Sequence, residues 1–129
     1  MLTKPSEIVE VGPANGRDAR FWASRGHKVH CVEFSRVALE QLTDLACSQG
    51  VIHRISPHHH DISLGHLPLA INGNVDGFYA RSALHVDDET LGRLMTNVNT
   101  LLRPKATIAI EGKGPLDMKM DVASMFDQV

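Results

Sequence analysis

The feature that most constrains the fold is an apolar run that breaks into a glycine-spaced turn. Residues 8–11 form the run, Glu10 lies within it, and Gly12 and Gly16 frame the turn. A buried strand that ends in a loop and then a helix is typical of doubly wound α/β folds, which place a nucleotide-like ligand at this turn. Glu33 closes the next apolar run, at the position where a ribose would lie.

Size, charge and cysteine content narrow the class of protein. With 129 residues and a net charge of −2, we expect one domain over residues 1–129, without the broad basic face that binds nucleic acid. No segment approaches the roughly 20 apolar residues of a membrane span, and the N-terminus lacks the apolar core of a signal peptide. Cys31 and Cys47 have neither CxxC nor CxxH spacing. We therefore expect two buried thiols in a reducing cytoplasm.

Strands and helices alternate along the chain. The apolar patterns predict strands at residues 7–11, 28–33, 51–56, 75–80 and 106–110. This alternation implies right-handed crossovers and an α/β fold. We expect three layers around a doubly wound, mostly parallel five-stranded sheet in the order 3-2-1-4-5.

Caps and stops mark the predicted helices. Gly26 ends the first helix, Ser35 caps the start of the second, and Gly50 follows its end. Acidic residues 87–89 begin the third helix, and its apolar stripe extends through Leu102.

The segment after the third strand is less regular. Pro57 is expected to end that strand, and residues 58–74 are predicted to be mostly loop, with a helical turn near residues 67–71. Residues 58–60 are all histidine, but three consecutive side chains cannot point at one ion from regular structure, so we predict a polar loop and no metal site. Residues 118–126 have apolar side chains at helical spacing, which predicts a final short helix.

The turn and several later positions together resemble a known family. The pattern comprises Glu10-x-Gly12-x-Ala14-x-Gly16, Glu33 at the end of strand two, Asp61 after strand three, and Leu101-Leu102-Arg103-Pro104-Lys105 before strand five. It resembles class I S-adenosylmethionine-dependent methyltransferases with a Rossmann-like domain. Residues 16–21, 25–27 and 32–35 are similar to the small-molecule thiopurine and tellurite branch. The Gly-x-x-x-Gly spacing differs from the dinucleotide fingerprint, which counts against NAD.

The resemblance implies S-adenosylmethionine as the cofactor and assigns residues to it. The implied cofactor-binding set is Glu10, Gly12, Pro13, Ala14, Gly16, Glu33, Phe34, Asp61 and Ile62. The first loop would line the methionine part through backbone atoms, with main-chain N–H groups as the expected donors. Glu10 would meet the amino group or orient the loop. Ala14 stands where the family usually has glycine, so we expect its backbone to avoid positive φ.

The adenosine half would lie against the ends of strands two and three. Glu33 would accept bonds from the ribose hydroxyls, Phe34 would lie along the adenine, and Asp61 would receive the exocyclic amine beside the Ile62 backbone. Each residue also has a structural interpretation. In that interpretation, Glu33 would be a solvated strand end, Phe34 would be a core residue, and Asp61 would cap a turn.

The stretch after strand four is the expected substrate side. Arg81, Ser82 and His85 lie at the carboxyl edge of the sheet, which borders the methyl group in the resembling family. Methyl transfer is an in-line displacement that needs a base only if the acceptor must lose a proton. His85 is the candidate catalytic base, since imidazole titrates near neutrality. The alternative is a loop histidine beside the Asp87 cap.

Two functions remain open at this point. The first is a methyltransferase that acts on a small molecule, and the second is a non-catalytic S-adenosylmethionine-binding or partner-completing module. We expect a truncated form of the usual seven-stranded sheet, because 17 residues follow Gly112. Strand five would then be an apolar edge, which favours a homodimer or a partner protein.

Overall fold

A computed structural model of the chain describes residues 4–81 and 86–111. The elements in order are β1 (Glu7–Val11), α1 (Arg17–Ser24), β2 (Lys28–Glu33), α2 (Arg36–Ser48), β3 (Ile55–His59), β4 (Val75–Arg81), α3 (Asp88–Leu101) and β5 (Leu102–Glu111). Short 3-10 turns at Ile52–Arg54 and Ile62–Leu64 flank β3. The predicted final helix at residues 118–126 lies outside the described residues.

The strands form one parallel sheet in the order β3-β2-β1-β4-β5, which confirms the predicted topology. The end of the central strand β1 lies between its two neighbours, because Val11 pairs with Val32 of β2 and with Ala80 of β4. The strand order reverses at β1, and open α/β sheets bind ligands beyond the carboxyl end of the strand where the order reverses. The glycine-spaced turn occupies that position.

Helices cover both faces of the sheet. On one face, α1 and α2 pack through Ala19, Ala23, Leu42 and Ala46 against Val29, Cys31 and Ile55. On the other, α3 packs through Leu91, Leu94, Met95 and Val98 against Val9, Val11, Val32 and Phe78. Burial on both faces explains why the central strands are continuously apolar rather than alternating.

Two predictions about the third strand were wrong. The strand begins at Ile55 because residues 52–54 form a 3-10 turn, and it continues through Pro57 to His59. Proline is tolerated because β3 is an outer strand of the sheet. His58 and His59 therefore lie in a strand and not in a polar loop.

Two boundaries further along also differ from the sequence prediction. Residues 67–71 contain one turn, with a hydrogen bond of 3.1 Å from Ile71 N to Pro68 O, and the short helix lies earlier, at Ile62–Leu64. Helix α3 ends at Leu101, and Leu102 begins β5 by pairing with Val75. Proline disfavours helical backbone at the residue before it, so the helix ends ahead of Arg103.

The cysteine prediction was half right. Cys31 is buried, whereas Cys47 is exposed on α2, and both are free thiols. None of the helices in the described part of the chain combines the length and apolarity that a bilayer crossing needs.

Candidate cofactor site

The turn after β1 alternates into left-handed backbone. The φ angles are 73° at Gly12, 54° at Ala14 and 80° at Gly16. The expectation that Ala14 avoids positive φ was therefore wrong. A side chain with a Cβ strains this conformation by about 1–2 kcal/mol, so the surrounding structure must hold Ala14 in place.

The amide groups of this turn bond within the protein. Gly12 N donates to Val32 O at 2.9 Å, and Gly16 N donates to Pro13 O at 2.9 Å. Ala14 N donates to Glu33 Oε1 at 2.9 Å. The expected N–H contacts to a ligand are thus not offered by these three residues. The start of α1 is different, since the first amides of a helix have no partner within the helix.

Gly16 has a packing role that the sequence did not reveal. A Cβ built on this residue would lie 2.6 Å from Leu42 Cγ and 2.7 Å from Leu42 Cδ1. Gly16 also begins α1, because its carbonyl accepts from Arg20 N at 2.7 Å. The residue lets α1 and α2 approach each other closely, whatever the turn binds.

Glu33 joins two loops through one carboxylate. Its Oε1 accepts from Ala14 N at 2.9 Å and its Oε2 accepts from Ser35 N at 2.9 Å. A carboxylate has about four acceptor positions, so each oxygen keeps about one for a ligand. Two free acceptor positions match the two hydroxyls of a ribose. The solvated strand end considered from the sequence is therefore too simple an interpretation.

Glu10 lies on the face of the sheet that α1 and α2 cover. It is 4% exposed, and in register it lies between Cys31 of β2 and Tyr79 of β4. The Tyr79 ring meets Trp22 of α1 edge-on, with centroids 5.3 Å apart. Burial first, then the charges of Glu10 and Glu33, raises the pKa of the Cys31 thiol. Cys31 therefore stays protonated and is not a nucleophile.

The ends of β2 and β3 lie together at the predicted adenine side. His60 N donates to Glu33 O at 3.1 Å, and Asp61 follows His60 just beyond the paired ends of β2 and β3. Phe34 is 68% exposed, so it is not core. Ile62 packs partly buried against the core beneath.

Asp61 has the capping role considered as its structural alternative. Its Oδ1 accepts from Ser63 N at 2.9 Å and caps the 3-10 turn that follows. Hydrogen bonds from the Ser63 side chain and main chain lower the pKa of Asp61. The carboxylate therefore stays charged at neutral pH and keeps acceptor positions for an amine.

The predicted substrate side is only partly described. Arg81 ends β4, where it pairs with Glu111 of β5. Ser82 and His85 lie outside the described residues. Within the described ranges, no group of three or more histidine, cysteine, aspartate or glutamate side chains is arranged to hold a metal ion.

Three residues that shape the carboxyl edge of the sheet were not predicted from the sequence to belong to the site. Ser35 contributes the second amide that Glu33 accepts, and its hydroxyl caps α2 by accepting from Ala38 N at 3.2 Å. The His60 amide bonds to the end of β2, and Leu42 packs against the end of the turn. Only Ser35 had a local indication, as a helix cap; the other two contacts depend on packing between elements.

A comparison with known families agrees with this geometry. Residues 8–105 match the family described as a methyltransferase domain. The chain belongs to the methyltransferase-domain family. S-adenosylmethionine is the cofactor that this membership implies. No protein of curated function matches the sequence significantly.

Solved structures share the fold of this methyltransferase domain. A TehB-like SAM-dependent methyltransferase of Corynebacterium glutamicum has a TM-score of 0.76 and 14% identity, with 98% of this chain and 67% of that chain covered. A SAM-dependent methyltransferase of Geobacter sulfurreducens, solved with S-adenosyl-L-homocysteine, has a TM-score of 0.68 and 20% identity, with 84% and 42% covered. The [4+2]-cyclase SpnF has a TM-score of 0.78 and 17% identity, with 97% and 52% covered. The chain thus spans about half or less of the last two proteins.

Proposed function

We propose that this chain binds S-adenosylmethionine and transfers its methyl group to a small molecule. The observation that carries the proposal is Glu33, which stands at the carboxyl edge of the sheet with an acceptor position left on each oxygen. Membership of the methyltransferase-domain family supports it. The structural neighbour solved with S-adenosyl-L-homocysteine supports the same cofactor class.

The residues at the edge suit the hydrogen-bonding groups of an adenosine. Its ribose hydroxyls and exocyclic amine are donors, and Glu33 and Asp61 are acceptors. Phe34 offers an exposed aromatic face to a purine. Gly12, Pro13 and Ala14 are proposed to contact the methionine part through main-chain carbonyls, because the amides of Gly12 and Ala14 bond elsewhere and proline has none.

The acceptor side of the proposal rests on β4. The cofactor supplies an electrophilic methyl group on sulfur, so the protein must align the acceptor and, for a neutral acceptor, take up its proton. Arg81 ends β4, the strand beside β1, and Ser82 and His85 follow it in the sequence. The three residues are proposed to line this side, with His85 as the base. A TehB-like methyltransferase is among the structural neighbours, which supports the proposed small-molecule branch.

A second candidate is a binding module without turnover. The cyclase among the structural neighbours shows that this fold also serves proteins named for other chemistry. The strained Ala14, in place of the family's usual glycine, is a departure from the family pattern that favours the module.

Calorimetric titration with S-adenosylmethionine, S-adenosylhomocysteine and NAD tests the cofactor. We expect the first two to bind and NAD to give no heat. Glu33→Ala should weaken S-adenosylhomocysteine binding by about 1–3 kcal/mol, the range for unsatisfied hydrogen-bond partners. The exposed Glu40→Ala on α2 is the matched control and should bind normally. Binding of NAD alone would contradict the proposal.

Release of S-adenosylhomocysteine separates the two candidates. The protein is incubated with S-adenosylmethionine and a panel of thiols, amines, phenols and carboxylates. Product formation with one class supports the enzyme, and no product despite intact cofactor binding supports the module.

The proposal extends to assembly and compartment. β5 is an outer strand of the described sheet, and a second copy of the chain pairing along it would cover that edge. Light scattering at micromolar concentration should then report a dimer, and a monomer would contradict this part. Two free thiols support a reducing, cytoplasmic setting.

A further inference from the structure

We propose that Glu33 is a positioning residue that holds the turn after β1 in its left-handed shape before any ligand arrives. This inference rests on the cofactor-binding function above and deepens it. It assigns Glu33 a task that precedes binding and that a ribose contact alone does not require.

The geometry places Glu33 at the junction of three strand ends. Its Oε1 accepts from Ala14 N, 19 residues earlier, at 2.9 Å. Its Oε2 accepts from Ser35 N at 2.9 Å, and its main-chain oxygen accepts from His60 N at 3.1 Å. One residue thereby fixes the loop after β1, the start of α2 and the exit of β3.

The strained residue of the turn is the one that Glu33 holds. Gly12 and Gly16 adopt positive φ without steric cost, whereas Ala14 at 54° carries a Cβ in the same region. If the hydrogen bond to Glu33 were lost, Ala14 would relax toward extended backbone. A charged acceptor opposes that relaxation more strongly than a neutral one.

The arrangement prepares the site in two ways at once. The turn is ordered before binding, so a ligand spends less of its binding free energy on ordering the loop. The carboxylate is also oriented, because both of its oxygens are already fixed by amides. Each oxygen also keeps about one acceptor position beside its bonded amide, and that position remains for a ligand.

Amide hydrogen exchange in the cofactor-free protein tests the positioning role directly. In Glu33→Ala, we expect the Ala14 amide to exchange about three- to tenfold faster, the factor for one net hydrogen bond. Glu40→Ala removes the same side chain from an exposed site on α2 and should leave the Ala14 amide unchanged. Equal exchange in wild type and Glu33→Ala would overturn the proposal.

A double-mutant cycle with Ala14→Gly separates positioning from contact. Glycine adopts positive φ without the Cβ penalty, so it replaces part of what Glu33 does. We expect Ala14→Gly to raise S-adenosylhomocysteine affinity about threefold or more in the Glu33→Ala background and to change it little in wild type. The same change in both backgrounds would mean that Glu33 acts only as a ligand contact, which contradicts the proposal.

The two measurements also distinguish this inference from the proposed function. Amide exchange needs no cofactor, so faster exchange in Glu33→Ala supports the positioning role even if calorimetry shows no S-adenosylhomocysteine binding. That combination would refute the cofactor proposal alone. Unfolding midpoints of all variants, measured beside the exchange, check that each protein is folded.

Discussion

Each residue of the glycine-spaced turn has its own physical requirement. Gly16 needs both a left-handed backbone and empty space, because Leu42 lies where its Cβ would be. Ala14 needs the backbone conformation but tolerates a Cβ with strain. Spacing in the sequence marks these positions as a turn and does not separate packing from ligand contact.

We predict that Gly16→Ala strongly destabilises the protein. The left-handed backbone costs about 1–2 kcal/mol and the overlap with Leu42 adds about 1–3 kcal/mol. Gly50 also has a positive φ, of 74°, but nothing lies within 4 Å of its Cβ position. Gly50→Ala is therefore the control for backbone strain alone. Denaturant unfolding measures the free energy of unfolding of both variants. An equal loss in Gly16→Ala and Gly50→Ala would contradict the assigned contact with Leu42.

At the scale of elements, an apolar stripe in the sequence predicts the position of a helix or strand well when only one of its faces is buried. Helix α3 illustrates this, since Asp87 caps it as an acidic start predicts and Leu94 is fully buried on its apolar stripe. Its end was misplaced because Leu102 continues the stripe yet pairs with Val75 in the sheet. Whether Leu102 continues the helix or begins a strand depends on its pairing with Val75, which is 27 residues away in the sequence.

We predict opposite effects for two substitutions on α3. Leu94→Ala removes a fully buried side chain from the core and should cost about 2–5 kcal/mol of unfolding free energy. Gly92→Ala lies on the exposed face with nothing within 4 Å and should stabilise by about 0.5–1 kcal/mol. Urea unfolding of both variants checks the prediction; a loss in Gly92→Ala would contradict the exposed helical placement.

At the scale of the whole molecule, side chains from β1, β2 and β3 form a partly buried polar row across neighbouring strands. His30 Nε2 lies 2.7 Å from Glu7 Oε2, and His30 Nδ1 lies 3.3 Å from His58 Nε2. Burial first, then the nearby His30 and His60, lowers the pKa of His58. His58, which the sequence predicted to lie in a loop, therefore packs within the sheet.

The row predicts how stability depends on pH. The fold disfavours the proton on His58, while the unfolded chain binds it near the ordinary pKa of 6.5. Stability should therefore be highest above that value and fall with pH until the folded-state pKa is passed. The measurement is thermal unfolding between pH 8 and pH 5, about 3 pH units across the imidazole range. The stability of His58→Gln should depend on pH less strongly than that of wild type.

The exposed His53 provides the matched control for this titration. His53→Gln removes a histidine that lies one helical turn before β3 and should leave the pH dependence unchanged. His30 and His60, which act on His58, and Glu7, which contacts His30, remain in both variants. An identical pH profile for His58→Gln and wild type would contradict a role for His58.

Most helix starts could be predicted from the sequence because caps and apolar periodicity are local. The sheet order and the family could be predicted because alternating strands and helices with a short motif after the first strand are typical of a doubly wound fold. Tertiary structure alone decided the rest. Pro57 lies in a strand because that strand is at the edge of the sheet. Gly16 is required because Leu42 packs on it, and Ala14 is left-handed because Glu33 accepts a hydrogen bond from its amide. Each of these contacts joins residues far apart in the chain, and local patterns hold no record of such pairs.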